Sequence, residues 1–415
     1  MGSKLTQSVG DQSATASAAG VRQLVLTIIA VVGSLATWFS AVAILPELAQ
    51  EWALPVASLP WLTNAVQIGF VVGAIGSSVL NLPDSVPLHR LMGASAAVAA
   101  IANLLLLLDP GIASIGLRFV TGLALAGVYP PAMKLMATWF KSGRGMVLGL
   151  IIAALTLGSS LPYLFRGLVG QMDWQWVVIG TSATSLIAAV IFLSSARPGP
   201  YATARVPIDF KAFGRVFRDR PLFLANLGYF GHMWELYAMW GWFFAFAVAA
   251  SQSGIPELQG RVAIFTFCVI AAGVPGCIIG GWLSDRIGRT RTCSIMLAGS
   301  GFCALLIGVF FEGPTVVFVI LSLVWGLTVI GDSAQFSAAA TELADKRYVG
   351  TALALQLGMG FALTVVAIWL TPIVADWVGW RWTFLMLVPG PIIGLIAMLK
   401  LRTLPESAKL AGGRR

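Results

Sequence analysis

Charge is scarce in this chain. Only 10% of its 415 residues are Asp, Glu, Lys or Arg, against about 25% in an ordinary soluble domain. Hydrophobic residues make up 58%, and the mean hydropathy is +0.87. A soluble fold this apolar could not cover its own surface, so composition excludes a water-soluble globule and assigns most of the chain to lipid. Cysteine is also sparse. Cys268, Cys277, Cys293 and Cys303 all lie in or beside apolar runs, and none forms a CxxC pair. That spacing supports neither a disulfide framework nor a zinc site; they read as small packing residues. No GxxxxGK[ST] segment occurs, so nucleotide hydrolysis is not expected. A metal dyad or a serine/lysine arrangement is likewise missing, so no enzyme and no cofactor is expected.

What is abundant is the long apolar run. A helix needs about 20 mostly apolar residues to cross a bilayer. Twelve runs qualify, at 21–45, 59–80, 90–109, 112–139, 144–166, 174–195, 222–250, 261–283, 291–311, 314–341, 349–375 and 380–401. They are continuous rather than alternating, which predicts helices and not barrel strands. The Ser/Ala/Gly-rich residues 1–20 read as a flexible tail. The run after them is too long for a signal-peptide core and reads as the first span. Residues 196–221 read as a linker between a bundle at 21–195 and a bundle at 222–401, with a second tail at 402–415. The predicted fold class is therefore an all-α membrane protein of twelve transmembrane helices in two pseudo-symmetric six-helix bundles.

The net charge of +9 does not point to nucleic acid, because the cations sit in short segments between apolar runs. They set orientation instead. With the N-terminus inside, Lys4, Arg22, Arg90, Lys141 and Arg144 fall on the cytoplasmic side. So do the linker cations, Arg286, Arg289, Arg291, Lys346, Arg347 and those from Lys400 onward. Arg166, Arg261 and Arg381 fall outside, while Arg118 and Lys134 lie within a span. Both termini are expected in the cytoplasm, in a bacterial inner membrane. The halves also repeat: Asp84 and Arg90 match Asp285 and Arg291, Trp174-Gln175-Trp176 matches Trp380-Arg381-Trp382, and Gly145 matches Gly350. Parallel repeats of this kind place a binding site between the halves near mid-membrane.

Residues 280–289, Gly-Gly-Trp-Leu-Ser-Asp-Arg-Ile-Gly-Arg, resemble the signature G-x-L-x-D-R-x-G-R-K/R of the major facilitator superfamily, in the loop between spans 8 and 9 where that family carries it. The first-half copy, 81–90, keeps Asp84 and Arg90 but loses the DRxGR core. The resemblance implies a secondary transporter working by alternating access, as a monomer. It gives the gating role to Asp285, Arg286, Gly288 and Arg289, and more weakly to Asp84 and Arg90. Span 4 opens Leu117-Arg118-Phe119-Val120-Thr121-Gly122, similar to the family's R-x-x-x-G element. The antiporter element of span 5 is absent: residues 158–165 lack its Gly-Pro pair and double glycine. The glycine-rich nitrate-transporter signature is also absent.

Intramembrane charge is expensive and marks function by default. Arg118 is one such residue. In span 7, His232 and Glu235 are three apart and share a helix face; in span 10, Asp332 and Gln335 do the same. Counted at 1.5 Å per residue, His232 and Asp332 both lie about 15 Å from the inner face. Together these groups form a candidate proton relay. Glu235 or Asp332 would take the proton, His232 would tune the acid, and Arg118 would hold a counter-charge or an anionic substrate group. Tyr229 and Gln67 are further candidates to line the site, with Asn103, Trp234, Tyr237 and Trp240 weaker ones. The expected partners are a small solute, a metabolite or organic anion, with protons and lipid. A drug or metabolite efflux antiporter of the same fold and a non-transporting membrane sensor are the alternatives.

Overall fold

The computed structural model describes residues 2–140, 144–170, 173–201, 214, 218–345 and 348–414. Most of the expected linker, and the cations Lys141, Lys346, Arg347 and Arg415, lie outside the described residues.

Every apolar run is helical. Span 1 is the helix Gly2–Leu35, followed past a break by Ser40–Ala43 and Leu45–Glu51. Spans 2 and 3 are Trp61–Val79 and Leu88–Leu104. Span 4 is Ser114–Leu125 and Tyr129–Trp139; spans 5 and 6 are Arg144–Val169 and Gln175–Ser195. The second half follows with span 7 as Arg220–Ser253 and span 8 as Val262–Ala271 and Gly273–Ile287. Span 9 is Arg289–Leu306, and span 10 is Thr315–Gly331 and Ser333–Leu343. Span 11 is Val349–Val378 and span 12 closes with Pro389–Thr403. Among the described residues ten helices are long and apolar enough to cross a membrane. The two outside that set are spans 7 and 9. Span 7 carries Asn226, His232 and Glu235 in its interior, and span 9 opens on Arg289 and Arg291. In span 7 this polarity is buried inside the protein, whereas in span 9 Arg291 is exposed at the helix start.

The pseudo-symmetry extends to the helix breaks. Span 4 breaks at 126–128, just ahead of Pro130-Pro131 in the first turn of its second piece, where a missing N–H costs nothing. Span 10 breaks at Asp332. Glycine sets the spacing within each bundle. A β-carbon on Gly122 would lie 2.0 Å from Val66 O, which brings spans 4 and 2 into backbone contact. One on Gly280 would lie 1.8 Å from Gly331 O, which does the same for spans 8 and 10. Such close approach is how helices associate where lipid removes the hydrophobic drive.

The bundles meet along two edges. Spans 5 and 8 touch from end to end: Gly167 against Ile264, Thr156 against Gly273, Gly149 against Cys277, and Gly145 against Asp285. Spans 2 and 11 meet at Asn64, whose Nδ2 donates to Val365 O (3.2 Å), and at Phe70 and Phe361, with ring centroids 5.0 Å apart. Toward the Arg/Lys-rich face these two spans part around an apolar cleft of about 110 Å³.

Gly280→Ala should lower detergent stability by about 1–3 kcal/mol, the usual cost of overpacking. Gly281→Ala, whose β-carbon would meet nothing within 4 Å, should be neutral. Thermal unfolding of the two purified variants checks the pair.

Candidate transport site

The break in span 1 creates the first feature of the site. It frees backbone carbonyls inside the slab, and lipid offers them no partner. Arg118, fully buried, supplies the donors. Its Nη1 donates to Thr37 O (2.9 Å), Ser40 Oγ (3.2 Å) and Asn103 Oδ1 (3.2 Å), its Nε donates to Leu62 O (3.3 Å), and its Nη2 donates to Trp38 O. Asn103 is held in turn by Thr181 and Ser182 of span 6. Arg118 therefore staples spans 1 to 4 at their far ends, and all these partners belong to the first bundle.

The break also turns Trp38 and Phe39 toward the second bundle. Trp38 stands 5.0 Å from Phe70, 5.9 Å from Tyr237 and 6.2 Å from Phe361 by ring centroids. Phe39 stands 6.2 Å from Trp240, and Tyr237 stands 5.4 Å from Phe361. Spans 1, 2, 7 and 11 thus enclose an aromatic cage between the bundles. Gln67 lies on the face of span 2 that also carries Asn64 and Phe70, both of which contact span 11. Gln67 is wholly buried, and neither of its amide atoms finds a partner among the described residues. The indole N–H groups of Trp38 and Trp240 are equally buried and unpartnered. Each such group costs about 1–3 kcal/mol.

The titratable cluster lies in the second bundle. His232 Nδ1 approaches Asp332 Oδ1 at 2.9 Å, with both side chains 1% exposed. The contact is close, but among the described residues Oδ1 receives no well-directed hydrogen bond and His232 Nε2 has no partner. Tyr229 stands 6.0 Å from His232 by ring centroids, and a β-carbon on Gly360 of span 11 would strike it. Tyr229 thus lies between the pair and span 11. Glu235 turns elsewhere. It accepts from Trp325 Nε1 (2.7 Å) and Ser300 Oγ (2.8 Å), deep among spans 7, 9 and 10. His232 and Asp332 come together as expected; Glu235 shares their depth but has its own fully satisfied partners.

The sequence matches the description Major Facilitator Superfamily over residues 26–331 and 261–415. The chain belongs to the major facilitator superfamily. Membership makes it a membrane transporter and not an enzyme. It is 26% identical over 388 residues to a gentisate transporter of Corynebacterium glutamicum, covering 87% of this chain and 82% of that one. It is 25% identical over 327 residues to a niacin transporter of Acinetobacter baylyi, covering 68% and 70%. A solved bacterial homologue of the lysosomal transporter Spinster, inward-facing and unoccupied, shares the fold at a TM-score of 0.72. That match has 12% identity and covers 94% and 98% of the two chains.

The superfamily's signature loop is tightly held. Gly288, at φ 94°, makes the turn from span 8 to span 9. Arg289 Nη1 donates to Ser284 Oγ (2.9 Å) and Gln335 Oε1 (2.7 Å), and its Nη2 pairs with Glu342 (2.9 Å). Gln335 is thus tied to the signature loop rather than to the pair beside it in sequence. Arg286 lies over the Trp282 ring at 4.0 Å. In the first-half copy Asp84 pairs with Lys134 (2.6 Å), and Arg90 is exposed. Trp234 donates to Met386 O and packs on span 12.

The sequence reading passed over Trp38, Phe39, Phe70, Phe361 and Glu342. Aromatics abound here, and only the Thr37-to-Ser40 interruption in span 1 could have singled out the first two. Arg118→Lys should lower thermal stability by about 1–3 kcal/mol for each carbonyl left unpartnered. Wild-type stability with lost transport would instead put Arg118 in the transport step.

Proposed function

We propose that this protein moves a small aromatic monocarboxylate through the membrane by alternating access, coupled to protons. One observation carries the reading. Three buried donors, Trp38 Nε1, Trp240 Nε1 and Gln67 Nε2, stand unpartnered among facing aromatic rings between the bundles. A carboxylate satisfies unpaired N–H donors with charge-assisted bonds. A flat ring stacks on Trp38, Phe70, Tyr237 and Phe361. Gentisate and niacin, named for two relatives, are both aromatic acids.

In this reading the bundles at 21–195 and 222–401 rock about the cage in a monomer, and the linker joins them on the cytoplasmic side of a bacterial inner membrane. The anion enters a cage that offers donors but no cation, since Arg118 is committed to span 1. Its charge is compensated by a proton taken up with it. His232 and Asp332 are the carrier of that proton: with one shared proton the pair is neutral, and without it the pair leaves a net negative charge buried. Tyr229 lies between them and span 11. Glu235 holds Trp325 and Ser300 and is left out of the coupling.

Right-side-out vesicles with an inward proton gradient should accumulate radiolabelled nicotinate or a hydroxybenzoate, and a protonophore should abolish accumulation. Gln67→Ala should raise KM about tenfold, equivalent to one hydrogen bond of about 1.4 kcal/mol. Asp332→Asn should lose gradient-driven accumulation yet keep exchange of labelled for unlabelled acid across the membrane. Wild-type accumulation by Asp332→Asn would remove the pair from coupling. Unaltered binding in Gln67→Ala, Trp38→Phe and Trp240→Phe would remove the cage.

A further inference from the structure

The segment after span 12 does not trail away from the protein. It folds back beneath the second bundle as the turn-rich piece Pro405–Gly413. Leu410 and Ser407 are both fully buried. Ser407 Oγ donates to Leu404 O (2.7 Å) and Arg402 O (3.1 Å), which closes the turn on the end of span 12. Beyond Leu410 the chain reverses through Ala411, at φ 48° and ψ 38°. That is the left-handed region, which a residue with a β-carbon enters only under strain.

The strain serves a contact. In this conformation Ala411 N–H donates to Glu342 Oε2 at 2.9 Å. Glu342 is the carboxylate that holds Arg289 of the signature loop. Three residues on, Arg414 Nη1 donates to the backbone carbonyl of Asp285 in the same loop. The segment therefore grips the loop at two points, one through Glu342 and one directly. The loop in turn faces the other bundle, since a β-carbon on Gly145, at the start of span 5, would stand 3.9 Å from Asp285 Oδ1. A carboxylate at that position meets the positive end of the span 5 helix.

We infer that residues 404–414 are a built-in latch. By fixing the signature loop against span 5, they hold the Arg/Lys-rich ends of spans 5 and 8 together and bias the transporter toward closure on that side. Release of the segment removes its hold on Glu342 and on the Asp285 carbonyl together, because both grips are on one short stretch of chain. The inference concerns the closing of the edge between spans 5 and 8, and it is independent of the solute carried.

Cys277 reports on that edge. It is buried on span 8, and its carbonyl faces Gly149 of span 5. With Cys268, Cys293 and Cys303 replaced by alanine, the rate of labelling of Cys277 by a membrane-impermeant maleimide is measured in inverted vesicles, with no solute present. Ala411→Pro removes the N–H and forbids φ 48°; labelling should speed up about tenfold. Ala411→Gly removes the strain, so labelling should slow several-fold. Arg414→Ala should fall between wild type and Ala411→Pro. Opposite movement in the proline and glycine variants, at unchanged melting temperature, is the signature of a latch. Equal rates in all variants, or faster labelling in Ala411→Gly, overturns it. Should the proline variant fail to fold, the glycine and Arg414→Ala rates decide the question alone.

Discussion

The arrangement of the first bundle depends on one guanidinium. A helix broken inside a membrane leaves carbonyls that neither lipid nor water can satisfy, so a break survives only where protein supplies the donors. Arg118 supplies them to Thr37 and Trp38 and anchors on Leu62 and Asn103 as well. The break it permits is what swings Trp38 and Phe39 out of the helix line and into the space between the bundles. A buried arginine that resembles a substrate ligand in the sequence thus acts one step earlier. It holds the backbone shape that carries the Trp38 and Phe39 rings of the cage.

The second bundle solves the same problem with different chemistry. Its broken helix, span 10, bends at Asp332 rather than around a remote cation. The acid sits at the break itself and meets His232 across the bundle. The break at Asp332 repeats that of span 4 at 126–128, where no polar side chain stands, whereas the break in span 1 has no counterpart in span 7, which runs unbroken over Arg220–Ser253. The signature loops show an exchange of sign. In the first half an acid of the loop pairs with a lysine of span 4, and in the second half a base of the loop pairs with a glutamate of span 10. Pairing between loop and span is retained although the signs are reversed.

The parts legible in the sequence are those that follow from position along a helix. Length and apolarity give the spans, and the DRxGR core marks the loop. Residue counting from the membrane face brings His232 and Asp332 to one depth, and they meet. Depth alone cannot give azimuth, which is why Glu235, one turn away, faces Trp325 and Ser300 instead. Three residues along a helix still leaves a rotation of tens of degrees, enough to move a carboxylate from one neighbouring span to another. The cage was hidden for a related reason. It is assembled from four spans that are far apart in sequence, and no local pattern records which tryptophan indole is left without an acceptor. The segment at 405–414 gave no signal, because its grip rests on a backbone N–H at a left-handed alanine.

A cage of neutral donors has a consequence for the transport cycle. A fixed cation in the site would bind a carboxylate more strongly, but it would also have to cross the closed state uncompensated once the solute had left. Desolvating a lone charge costs several kcal/mol even after relaxation. Neutral indoles and an amide cost far less when empty, about 1–3 kcal/mol each. In the proposed cycle the empty cage therefore returns with a smaller barrier, and a proton on the His232–Asp332 pair would offset the charge of a bound anion, so that loaded and empty forms carry the same net charge. Commitment of Arg118 to the backbone and neutrality of the cage are in this sense one design: the cation that stabilises the fold is kept away from the cage.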